Sequence, residues 1–190
     1  MGAFCALSLL RTLCVRIFLE EIMNQKVRYL VHAALIGAMY AALTHLQNLL
    51  LPGSATWAIQ FRISEALCIL ALFTPAAIPG LTVGCAVFNL TFAGALPLDA
   101  LIGSAATALA ATGMYLLRNI KVKGLPVLAL LMPALWNALL VGWELTVYIG
   151  GAFWLNALYV AIGELVVLLS LGSMLYSTMN KGGLAKRIFD

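Results

Sequence analysis

Between residues 29 and 179 the chain is a succession of apolar runs, separated only by short turn-forming or basic stretches. A helical crossing of a bilayer takes about 20 apolar residues, and five such stretches are legible: residues 29–51, 61–95, 99–117, 125–149 and 152–179. The second contains Pro75 and then Pro79-Gly80, where the chain must reverse, so it counts as two short segments. Six crossings nearly exhaust 190 residues and leave no room for a soluble domain. The runs lack the ten-residue alternation of a β-barrel, and lipid cannot satisfy bare backbone groups. The expected fold class is an all-α membrane protein, a compact bundle of six transmembrane helices.

Composition agrees: 64% of residues are hydrophobic, 9% are charged and the mean hydropathy is +1.04, where soluble domains carry about a quarter charged residues. The net charge of +4 does not indicate nucleic acid, because the basic residues lie between the apolar runs rather than in one patch. Lys26, Arg28, Arg118, Lys121, Lys123, Lys181, Lys186 and Arg187 fall on one side of a six-segment arrangement, which makes that side, and both termini, cytoplasmic. Arg62 is the basic residue expected outside. Cys5, Cys14, Cys68 and Cys85 show no CxxC spacing and read as small apolar packing residues, so neither a metal nor a disulfide framework is expected.

Residues 1–22 form an apolar stretch interrupted by Arg11 and Arg16, and Met23 opens a basic tip followed at once by an apolar run. That pattern predicts an N-terminal extension, not part of the native protein, over residues 1–22 and a six-helix transmembrane domain over residues 23–190, the alternative being an amphipathic interfacial helix before Met23. Glu20-Glu21-Ile22-Met23 also back-translates to a purine-rich stretch just upstream of a start codon, as a bacterial ribosome-binding site would read. The pair of short segments in 61–95 is either two spans or a re-entrant hairpin, and charge parity fits both. Short, Pro/Gly-interrupted segments point to a binding site, since irregular backbone is tolerated in a membrane where it lines a cavity.

Ionisable groups in or beside the membrane are costly and are candidates for function. Counting from segment ends puts Glu65, Asp99 and Glu144 near the outer boundary and Glu164 close to mid-bilayer. With Arg62 they are expected to converge on an outward-facing pocket, though Arg62 and Glu65 could simply pair, Asp99 could cap its helix, and Glu164 could be a protonated carboxyl bonded to a neighbouring helix. Asn137, Glu144 and Tyr148 share one helical stripe with Trp143 alongside. Gln60 adds a polar edge, and Trp57 is either a stacking residue or part of an interfacial belt. Ala34, Ala38 and Ala42, beside a parallel stripe of Ala33, Gly37 and Ala41, make a flat face suited either to packing inside the bundle or to docking another membrane subunit. Four acids against one arginine suit a cationic or donor-rich solute. No Walker A, H-E-x-x-H or nucleophile-elbow pattern is present, so no residues for ATP hydrolysis or hydrolytic catalysis are legible and the chain is not expected to be an enzyme.

Gln60-Phe-Arg-Ile-Ser-Glu65, Ile78-Pro-Gly-Leu-Thr-Val-Gly-Cys85, Asp99-Ala-Leu-Ile-Gly103 and Gly163-Glu164 together resemble the QueT family of queuosine-precursor transporters, over about residues 29–181. The resemblance implies a substrate-binding S component of an energy-coupling factor (ECF) transporter in a bacterial plasma membrane. It would capture a 7-deazaguanine such as preQ1, preQ0 or queuine. It would carry no cofactor of its own, ATP being hydrolysed by two partner ATPase subunits, and would dock a transmembrane coupling subunit through small residues of the first helix. Glu144 or Glu164 would accept paired donors of a guanine-like edge, Glu65 or Asp99 an aminomethyl cation, and Gln60 or Arg62 would donate to the carbonyl oxygen. The alternatives are a self-sufficient proton-coupled carrier using Glu144 and Glu164, or an S component for another vitamin.

Overall fold

The computed structural model describes residues 24–52, 54, 61–92, 94–96, 98–122 and 124–189 in full and residues 2–23 by backbone alone. Every regular element among them is helical: α1 (Gly2–Leu50), a 3₁₀ helix (Ile63–Leu72), α2 (Ala77–Thr91), α3 (Asp99–Leu117), α4 (Val127–Leu130), α5 (Met132–Tyr148), α6 (Phe153–Val167), α7 (Ser173–Asn180) and α8 (Leu184–Phe189). Four stretches are long and apolar enough to cross a membrane, Asn24–Leu50, Asp99–Leu117, Val127–Tyr148 and Phe153–Phe189, while Ile63–Leu72 and Ala77–Thr91 are shorter. The chain is a multi-pass helical membrane protein.

The short pair is placed by its contacts with α1. Ile63, Ser64 and Glu65 bond to Gln47, Thr44 and Tyr40 in turn, so the 3₁₀ helix runs antiparallel to α1. Its far end reaches the basic end of α1, where Thr74 and Pro75 line a cleft with Arg28, Tyr29 and His32. Then α2 returns parallel to α1, with Gly80 against Ala33, Gly84 against Gly37 and Thr91 bonded to His45. The segment therefore traverses the bundle and comes back, as two short passes rather than a shallow re-entrant loop. Winding as 3₁₀ lets it do so: ten residues cover about 20 Å at 2.0 Å each, against about 15 Å in an α-helix. From Ser64 to Leu72 every residue is buried, which is the mark of a helix enclosed on all sides. Its neighbours are α1, α2, α3, α6, α7 and the π-helical turn Leu168–Gly172 that continues α6.

Helices in lipid gain little from hydrophobic burial against one another and rely on close packing. The α1–α2 contact shows this, since a Cβ at Gly37 would sit 2.7 Å from the Gly80 carbonyl oxygen. The expected flat face of α1 is thus divided: Ala33, Gly37 and Ala41 turn toward α2, while Ala34, Ala38 and Ala42 remain exposed. On the far side, α5 and α6 are joined through Gly150 and Gly151, both in the left-handed region at φ +91° and +88° that glycine adopts without penalty. Asn156 ties this turn by donating to the Gly150 carbonyl at 3.0 Å. The last pass ends back at the basic end, where the Phe189 and His32 rings meet edge to face at 5.4 Å.

Candidate functional site

Apolar helices can bury polar groups only where the groups satisfy one another or a guest. In this bundle such groups gather around the start of the 3₁₀ helix. Arg62, Ser64, Glu65, Asn89, Asp99, Thr107, Asn137, Glu144 and Glu164 are all buried, with Tyr40, Thr44 and Gln47 of α1 beside the first of them. Arg62 precedes the helix with an extended backbone and lies within electrostatic reach of Tyr40, Glu65 and Asp99, and also of Glu144 and Glu164. The four acids expected to converge all lie within electrostatic reach of Arg62.

Their environments differ. Glu65 is fully engaged: the Tyr40 hydroxyl donates to Oε1, and the Cys68 thiol to Oε2 at 3.1 Å. Tyr40 lies ten residues before the end of α1, roughly 15 Å along its axis, so Glu65 sits deep in the bundle rather than at the outer boundary expected for it. The cause is the stretched backbone of residues 61–65, which descends faster than an α-helix. Asp99 opens α3, but its Oδ2 accepts from the Leu96 backbone N–H at 2.6 Å, holding the preceding turn instead of capping the helix. Asn89 of α2 secures the same corner by donating to the Asp99 carbonyl at 2.8 Å.

Across the cluster, Asn137 of α5 donates to Glu164 Oε1 of α6 at 2.9 Å. Glu144, two turns beyond Asn137 on α5, faces Asp99, yet neither of its carboxylate oxygens has a hydrogen-bond partner. Glu164 Oε2 and Asn89 Oδ1 are also buried without one. Four buried acceptor atoms thus point into the cluster with no donor, an arrangement that is costly to leave empty and that a donor-rich guest would relieve.

Two expected site residues stand apart from this cluster. Trp143 is half exposed on the outer face of α5, because the turn that buries Glu144 rotates its neighbour by about 100° toward lipid. Tyr148 shares the Asn137–Glu144 stripe but falls on the last residue of α5, where packing ends, and is 41% exposed. Trp57 and Gln60 lie outside the described residues. Among the described residues no group of His, Cys, Asp and Glu could hold a metal ion.

The residues missed from sequence are Tyr40, Thr44, Gln47 and Asn89. The first three have a signal in hindsight: Ile36, Tyr40, Thr44 and Gln47 recur every three or four residues on the face of α1 away from Ala34, Ala38 and Ala42. Thr44 Oγ1 lies 2.7 Å from Ser64 Oγ, and Gln47 Oε1 accepts from the Ile63 backbone N–H at 2.8 Å. One polar stripe of α1 thus positions the segment that carries Arg62 and Glu65.

No curated protein and no solved structure matches the chain. The family model described as QueT transporter matches residues 30–181, a stretch that holds every helix lining the polar cluster. Since the match covers most of the sequence, the chain belongs to the QueT transporter family.

Proposed function

We propose that this transporter is the membrane-embedded substrate-binding S component of an ECF-type importer, and that the polar cluster captures a queuosine precursor, a 7-deazaguanine such as preQ1, preQ0 or queuine, from outside a bacterial cell. The observation that carries the ligand reading is the set of four unpartnered buried acceptors on Asn89, Glu144 and Glu164. A guanine-like edge presents adjacent N–H donors that a carboxylate accepts together, and Arg62 can donate to a ring carbonyl. Of the residues expected to bind, Arg62, Asn137, Glu144 and Glu164 are the ones this reading keeps in contact with ligand. Glu65 and Asp99 become positioning residues, because their own partners lie within the protein.

The division of labour with partner subunits follows from what the chain lacks and what it exposes. No phosphate-binding loop for ATP is legible in the sequence, so two ATPase subunits would supply the energy. The exposed stripe of Ala34, Ala38 and Ala42 would dock the coupling subunit, close approach of helices being favoured by small side chains. The basic residues that flank the apolar runs would hold both termini in the cytoplasm.

Purified protein should release a 7-deazaguanine on denaturation, identified by mass spectrometry. A pterin or thiamine in its place overturns the ligand reading. Uptake in vesicles should require the ATPase subunits; uptake by this chain alone, driven by a pH gradient, would establish the proton-coupled carrier instead.

A further inference from the structure

Resting on that ligand reading, we infer that Glu144 is the specificity-determining residue for a primary ammonium group on the ligand, while Glu164 and Asn137 hold a flat donor edge common to every ligand accepted. The assignment comes from the partners each carboxylate already has. Glu65 receives the Tyr40 hydroxyl and the Cys68 thiol. Asp99 holds the Leu96 N–H on Oδ2, and Glu164 receives the Asn137 amide on Oε1. Among the described residues Glu144 alone brings two open oxygens, and it is fully buried.

The neighbour of Glu144 sharpens the point. It lies beside Asp99, a second carboxyl group. Two buried carboxyl groups side by side repel each other once both are ionised, and without an added cation they can settle only by sharing a proton. An ammonium group takes the place of that proton: it brings a positive charge beside both and N–H donors to the open oxygens of Glu144. Among the described residues Arg62 is the one cation beside these four acids, within reach of Glu144 and of Glu164 alike. A nitrile or carbonyl substituent placed at Glu144 would set an acceptor against acceptors and bring no charge to balance them.

Glu164 is a different kind of partner. With Oε1 bonded to Asn137, it offers one open acceptor, Oε2, beside an amide whose second N–H is a donor. An acceptor next to a donor matches the neutral hydrogen-bonding edge of a heterocycle and makes no demand for charge. The cluster thus separates recognition of the ring, at the α5–α6 contact, from recognition of the substituent, at the α3–α5 contact.

The test compares three probes, 7-aminomethyl-, 7-cyano- and unsubstituted 7-deazaguanine, by calorimetric titration of the purified protein, with Glu144→Gln and Glu164→Gln beside the wild type. The wild type should bind the aminomethyl probe at least about 10-fold tighter than the other two. Glu144→Gln should weaken the aminomethyl probe by about 10- to 100-fold and so erase its advantage over the cyano probe, while a cooperative thermal unfolding transition shows that the variant is folded. Glu164→Gln should weaken all three alike. If Glu144→Gln weakens the three probes equally, or spares the aminomethyl probe, the inference is wrong while the ligand class stands. Equal binding of all three by the wild type has the same meaning. If none of the three binds the wild type, the ligand class fails and this inference with it.

Discussion

Gly84 of α2 meets Gly37 of α1 so closely that a Cβ added at Gly84 would lie 2.6 Å from the Gly37 carbonyl oxygen and 2.9 Å from the Tyr40 Cβ. The obstacle is backbone, which cannot swing aside as a side chain can. Gly84→Val should therefore separate the two helices and destabilise the protein by about 1–3 kcal/mol, lowering the thermal unfolding midpoint in detergent by about 4–10 °C. Ligand affinity should fall with it, because Tyr40 on the same contact holds Glu65. An unfolding midpoint equal to that of the wild type would mean that the α1–α2 contact is looser than described.

The neighbouring stripe predicts the opposite pattern. Ala38 is exposed on the rim of the open groove between α1 and α2, so Ala38→Leu can extend into that groove and should leave both the unfolding midpoint and ligand affinity nearly unchanged. If the Ala34, Ala38 and Ala42 face docks a coupling subunit, the same substitution should reduce uptake by the assembled transporter at least about 10-fold, since bulk at a small-residue interface holds the helices apart. Full uptake by Ala38→Leu would remove this face from the docking surface.

Tyr40 and Glu65 form a buried pair whose loss is asymmetric. Tyr40→Phe removes the hydroxyl that donates to Glu65 Oε1 and leaves that oxygen buried without a partner, at a cost of about 1–3 kcal/mol. Glu65→Gln in the Tyr40→Phe background should recover part of the loss, because a neutral amide is less costly to strand than a carboxylate. A double-mutant cycle on thermal or denaturant unfolding measures the coupling, and a coupling near zero would show that the pair contributes nothing to stability.

How much of this could be read from the chain depends on whether a feature is local. The apolar runs, the reversal at Pro75 and the membrane setting follow from composition and chain reach alone, and so does the burial of Asn137 and Glu144 on one α-helical stripe. Which of two adjacent faces is chosen does not: Ala33 and Ala34 are both small, and only the approach of Gly80 and Gly84 decides that the first faces α2 while the second is left outside. The depth of Glu65 was hidden for another reason, because counting at 1.5 Å per residue assumes an α-helix where the backbone is extended and then 3₁₀. Trp143 was drawn toward the site by its position next to Glu144, although adjacent residues on a helix point about 100° apart. Tyr40, Thr44 and Gln47 passed unnoticed because single polar residues in an apolar helix gain meaning only from what they face.

Gln47 carries the last consequence. Its side-chain amide donates to the Phe61 carbonyl and to Ser54 Oγ, 2.9 Å away, while its Oε1 accepts from the Ile63 N–H at 2.8 Å. The backbone is therefore clamped on both sides of Arg62. Gln47→Ala removes every one of these contacts and should let Arg62 wander from the carboxylates, weakening all deazaguanine probes by about 10-fold through faster release. Gln47→Glu keeps the acceptor for Ile63 and loses the donors, so it should fall between alanine and wild type. Amide hydrogen exchange at Arg62 and Ile63 should rise in the same order. Since Gln47 touches backbone and not ligand, the loss should be equal for charged and uncharged probes, and a loss confined to one probe would place Gln47 at the ligand rather than behind Arg62.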